Sequence, residues 1–144
     1  MIAHAGLIAA HRRGRWRGVL IEGPSGVGKS DLALRALDHG FRLVADDRVL
    51  TWASAGRLFG RAPACLAGLI EVRGLDVVAT PALGFAEIVL VMRCGTSDRI
   101  PERRFTLIEG VSIPVLALDP NAPSAPAKLS RALDLFDEGS KRRI

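Results

Sequence analysis

Apolar residues in this chain come mostly in short runs, broken by glycine, proline and small polar residues. Runs of this length bounded by turn signals predict strands. On that basis strands are expected over 5–10, 19–21, 41–45, 69–74 and 88–92, with a last one over 113–118 limited by Pro114. Val49-Leu50-Thr51-Trp52 and Arg57-Leu58-Phe59 flank Ala53-Ser54-Ala55-Gly56, which predicts a β-hairpin. The period lengthens to a helical one in two places. Ala33, Leu34, Ala36 and Leu37 form a stripe on a helix over 31–39, stopped by Gly40, with His39 suited to the dipole of its last turn. Leu129, Ala132, Leu133 and Phe136 lie at i, i+3, i+4 and i+7 of a terminal helix starting near Pro126. The basic segment 11–17 reads as a loop, as do 60–68, 81–85, the charged run 93–104 and the turn-rich 119–126. The last residues are expected to fray. The pattern is that of an α/β fold.

Between the strand at 19–21 and the helix at 31 stands Gly23-Pro24-Ser25-Gly26-Val27-Gly28-Lys29-Ser30. It fits G-x-x-x-x-G-K-[ST], the phosphate-binding P-loop, in the strand–loop–helix context that motif requires. Glycines let successive N–H groups turn toward phosphate oxygens, and the helix N-terminus adds partial positive charge. Lys29 is placed to reach the β- and γ-phosphates, and the Ser30 hydroxyl to ligate Mg²⁺.

Composition narrows the class. At 144 residues and 49% hydrophobic, the chain suits one domain, 1–144, with a real core. No apolar run is long enough for a membrane span, and the N-terminus lacks a secretory pattern. Cys65 and Cys94 have no metal-type spacing and read as buried thiols of a reducing cytoplasm. The net charge of +5 gathers at Arg12, Arg13, Arg15 and Arg17 and at Lys141-Arg142-Arg143. Nucleic-acid binding is not expected, because no reading motif accompanies that charge.

A P-loop does not specify a reaction; the next informative group is Val44-Ala45-Asp46-Asp47. Carboxylates ending an apolar strand beside the P-loop strand suit Mg²⁺ binding or proton abstraction. In an extended segment the two side chains point to opposite faces. Glu71 and Arg73, taken alone, read as a surface pair on one face of a strand.

The P-loop with its strand, then Arg42-Leu43-Val44-Ala45-Asp46-Asp47, then Leu69-Ile70-Glu71-Val72-Arg73-Gly74-Leu75 together resemble HPr kinase/phosphorylase over residues 4–95. That resemblance implies the family's catalytic domain in a short form. It implies a P-loop core with a mixed β-sheet flanked by helices, similar to phosphoenolpyruvate carboxykinase, and assembly as a homo-oligomer, a hexamer in longer members. The implied activity is ATP- and Mg²⁺-dependent phosphorylation of a seryl hydroxyl on an HPr-like phosphocarrier protein of a bacterial phosphotransferase system. The implied site has Gly23, Pro24, Ser25, Gly26, Val27, Gly28, Lys29 and Ser30 around the phosphates. Lys29 holds the transferring group, and Ser30 and Glu71 hold Mg²⁺. Asp47 takes the seryl proton with Asp46 assisting. His4 corresponds to the family's histidine near the phosphates, with His11 competing for that slot. Arg99 corresponds to a later catalytic arginine, with Arg103 and Arg104 as alternatives.

The chain departs from the pattern twice. Asp76 replaces a glycine after Arg-Gly-Leu, and the arginines of a segment tied to dephosphorylation are missing around Pro114-Val115-Leu116-Ala117-Leu118. Kinase activity is therefore expected ahead of phosphorolysis. A small-molecule P-loop kinase and a non-catalytic nucleotide sensor remain open.

Overall fold

The structure is a computed structural model and describes residues 1–136. Eleven strands and two α-helices follow one another along it. Strands β1 (Ile2–Ala3), β2 (Ala5–Arg12) and β3 (Arg15–Glu22) lead into helix α1 (Lys29–Ala36), which tightens to a 3-10 turn at Leu37–His39. Then come β4 (Phe41–Ala45), β5 (Val49–Ser54), β6 (Arg57–Arg61), β7 (Leu69–Val72), β8 (Asp76–Ala79), β9 (Ala86–Cys94), β10 (Arg104–Ile108) and β11 (Val111–Leu118). Helix α2 (Ala125–Leu135) follows. Nine strands form one mixed sheet in the order β1-β5-β6-β9-β3-β2-β4, with β11 joining β9 and β10 joining β11; β7 and β8 pair by themselves.

The central strands are apolar on both faces, so they read as runs rather than alternations. Ile8, Val19 and Ile21 pack with Leu32 of α1 and Leu129 and Leu133 of α2. Their neighbours Leu7, Ala9 and Leu20 point the other way, to Val49, Leu58 and Ile88, where the sheet curls over itself. Strand β9 is shared three ways: parallel to β3, antiparallel to β6 at Ala86 and Glu87, and parallel to β11 from Val91 onward. Pro114 is tolerated in β11 because the ladder to β9 begins one residue later, at Val115.

Four expectations need correction, one of them being Cys65, which is exposed rather than buried. The basic segment 11–17 is not a loop. It is the distal half of the β2–β3 hairpin, paired to Arg12–Arg15 and closed by Arg13-Gly14. Both closing residues have positive φ (53° and 77°), the geometry whose twist matches flanking strands. Strands β8 and β10 also form where no element was expected. The strand carrying Asp46 is not beside the P-loop strand, since β2 lies between β4 and β3. The frayed end expected past Phe136 lies outside the described residues.

Candidate functional site

The loop at 23–30 leaves the end of β3 and enters α1. Its entry and exit are sterically fixed. A Cβ on Gly23 would stand 2.8 Å from the Cβ of Cys94. Gly28 has φ of +115°, caps α1 without a side-chain bond, and accepts the Leu32 N–H at 2.9 Å. Only glycine adopts that conformation without strain. Lys29 folds back on its own loop, its Nζ donating to the Gly23 carbonyl at 2.5 Å and the Pro24 carbonyl at 3.0 Å.

Asp46 and Asp47 follow β4 and divide sharply. Asp46 is buried and both its oxygens are occupied. Oδ1 accepts from the Ser30 hydroxyl at 2.7 Å, and Oδ2 accepts from the backbone N–H of Glu71 at 3.0 Å. One carboxylate thus ties α1 to β7. Asp47 has φ of +69°, which aspartate tolerates better than most residues. Its side chain is 71% exposed and faces Arg48, at 3.9 Å. Together with Glu71 and Arg73 of the β7 turn and Asn121 beyond β11, these groups line a cavity of about 440 Å³ around residues 25–31.

The cavity therefore gathers Ser25, Gly26, Val27, Gly28, Lys29, Ser30, Asp46, Asp47 and Glu71 from the sequence-derived set. Gly23 and Pro24 contribute the carbonyls that hold Lys29. His4 does not line it; this residue precedes the end of β2 that pairs with Glu22, where β3 enters the loop. It is exposed and precedes Ala5, whose N–H bonds the Asp47 carbonyl at 3.1 Å. His11 is at the opposite end, edge-on to Trp16 at 5.2 Å. Arg99, Arg103 and Arg104 also stand outside the lining; Arg103 packs over the Phe136 ring at 4.6 Å. Asp76 turns onto its own strand, accepting the Val77 N–H at 2.7 Å.

Asp31, Arg73 and Asn121 are the lining residues that the sequence reading did not assign to the site. Arg73 was legible in principle, being two residues from Glu71 on one strand face. Asn121 was not, because its place depends on β11 ending beside β9. Cys94, packed behind Gly23, is unsuited to nucleophilic work. Burial pushes its thiol pKa up, Asp119 adds to this, and the Lys29 ammonium opposes both.

The oxygen donors here suit a hard cation such as Mg²⁺. The Ser30 hydroxyl and Asp46 carboxylate meet and Glu71 lines the same cavity, although among the described residues no three His, Cys, Asp or Glu side chains are clustered closely enough to hold a metal by themselves.

The family model described as HPr Serine kinase C-terminal domain matches residues 14–89, more than half of the chain. The chain belongs to that family. Among HPr kinase/phosphorylase relatives, that of Clostridium tetani is 42% identical over 79 residues, covering 54% of this chain and 26% of the relative. That of Limosilactobacillus reuteri is 36% identical over 138 residues, covering 85% and 41%. The chain thus spans between a quarter and two fifths of the length of these curated relatives. The Hpr(Ser) kinase/phosphatase from Coxiella burnetii has the same fold, with a TM-score of 0.79 at 24% identity over 96% of this chain and 99% of that one. Likeness in fold therefore extends past residue 95, where sequence motifs fade.

Proposed function

We propose that residues 1–144 form the catalytic unit of an ATP- and Mg²⁺-dependent serine kinase acting on an HPr-like phosphocarrier protein in the cytoplasm. In this reading 23–30 is a P-loop, in a core of the phosphoenolpyruvate carboxykinase kind, and the working form is a homo-oligomer. The observation that carries the reading is the division between the two aspartates. Asp46 is spent on holding Ser30 and Glu71 in place, whereas Asp47 stands open in the same cavity.

Each residue then has a task. Loop N–H groups and Lys29, released from Gly23 and Pro24, hold the phosphates. Asp47 accepts the seryl proton as its oxygen attacks the γ-phosphorus and the bond to the bridging oxygen breaks, leaving ADP. Asp46 keeps Ser30 and Glu71 on the same side of the cavity, where those two would hold Mg²⁺. The ion, when bound, supplies neutralisation of phosphate charge.

The test is transfer of labelled γ-phosphate from ATP to a purified HPr-like protein in Mg²⁺. Phosphoserine on that protein is the expected product. Label on a metabolite, or nucleotide binding without transfer, would replace this reading by a small-molecule kinase or a sensor. Asp47→Asn should slow transfer by about 10²–10⁴-fold while nucleotide affinity stays within about threefold. Asparagine tolerates the same positive φ, so the fold is kept. Equal loss of binding and transfer would remove Asp47 from the role of base.

A further inference from the structure

The segment joining β11 to α2 carries no assigned role, yet it is anchored beside the cavity by several hydrogen bonds. Arg35 of α1 donates to the Ala122 carbonyl at 3.2 Å and to the Pro120 carbonyl, while its Nε holds Asp31 at 3.0 Å. Within the segment the Asn121 N–H donates to Asp119 Oδ1 at 2.9 Å, and the Ala122 N–H to the Asp119 carbonyl at 3.2 Å. Pro120 is buried. The result is a rigid strap that places one amide side chain against the loop at 23–30.

Asn121 Nδ2 donates to the Val27 carbonyl at 3.3 Å, and its Oδ1 would stand 2.7 Å from a Cβ on Gly28. The Val27–Gly28 peptide is planar and trans, so fixing its carbonyl also fixes the direction of the Gly28 N–H. Gly28 immediately precedes Lys29. The absence of a side chain at 28 is what admits the amide so close. Asn121 also lines the cavity itself, so its amide sits where phosphate oxygens would gather.

We infer that Asn121 is a positioning residue for the nucleotide's phosphates: it sets the Val27–Gly28 peptide and presents a neutral amide beside them. This rests on the P-loop reading of 23–30. A neutral side chain matters, because a carboxylate there would lose the donor to Val27 and place negative charge against the phosphates.

The measurement is affinity of the full chain for ATP, pyrophosphate and inorganic phosphate by calorimetry, at low and high salt, with thermal melting as the fold control. Asn121→Asp keeps the backbone turn to Asp119. It should weaken ATP and pyrophosphate binding by more than about tenfold and inorganic phosphate less, with salt narrowing the gap. Asn121→Ala should weaken all three by only a few-fold. Affinities of Asn121→Asp within twofold of wild type overturn the inference. Equal losses in the two variants overturn it too, since they would make Asn121 a packing residue. A wild-type chain that binds ATP but never phosphorylates the HPr-like protein defeats the kinase reading alone. A wild-type chain that binds none of the three probes defeats both.

Discussion

Gly18 shows how little room the centre of the sheet leaves. A Cβ there would stand 2.6 Å from the Glu87 carbonyl oxygen, which is backbone of the neighbouring β9 and cannot swing aside. Gly18→Ala should therefore destabilise the chain by about 1–3 kcal/mol, read as a lower urea midpoint. An unchanged midpoint would mean β3 and β9 can part at that point. At this scale the sequence was informative where chemistry is local. The loop from Gly23 to Ser30 and the two aspartates could be read directly, because their spacing is set by the backbone of one turn. The difference between Asp46 and Asp47 could not. It depends on Ser30 and the Glu71 N–H arriving from two other elements.

Among elements, the hairpins carry the clearest lesson. β2–β3, β5–β6 and β10–β11 are all closed by two residues with positive φ: Arg13-Gly14, Ala55-Gly56 and Glu109-Gly110. Each pair ends in glycine, but none begins with the asparagine or aspartate that makes such turns conspicuous. The middle one was legible because its flanks are apolar. The first was hidden by charge, since arginines at 12, 13, 15 and 17 look like a solvated loop. They have structural work instead: Arg12 donates to Asp134 at 2.9 Å and Ser130 at 2.7 Å, joining the hairpin to α2. Ala55 is exposed with φ of 52°, a poor residue for its place. Ala55→Asn should stabilise the chain by about 0.5–1 kcal/mol, seen as a raised melting temperature. A lowered one would show that the turn is not of this type.

For the whole molecule, the cavity draws on four separate stretches: the loop before α1, the end of β4, the turn after β7 and the strap before α2. A ligand gripping all of them binds only the folded chain. ATP at about a hundred times its dissociation constant should add about 2.7 kcal/mol of stability by mass action. Lys29→Ala should abolish most of the resulting shift in melting temperature; a shift that survives would locate the nucleotide elsewhere. The α/β class, the central strands and both helices were evident from periodicity alone. The order of the sheet was not, because pairing between distant strands leaves no mark on either one.

The three-way sharing of β9 bears on how the chain comes off the ribosome. Arg17 finds its parallel neighbour only in Glu87, and Glu22 only in Arg93. Until those residues emerge, the nascent β2–β3 hairpin has an open flank and the loop after it has nothing behind Gly23. Such distant pairing closes late and leaves an adhesive edge exposed meanwhile. Translation that pauses before Cys94 should thus yield a chain that already holds the residues at 23–30 yet is competent to aggregate rather than to grip a phosphate.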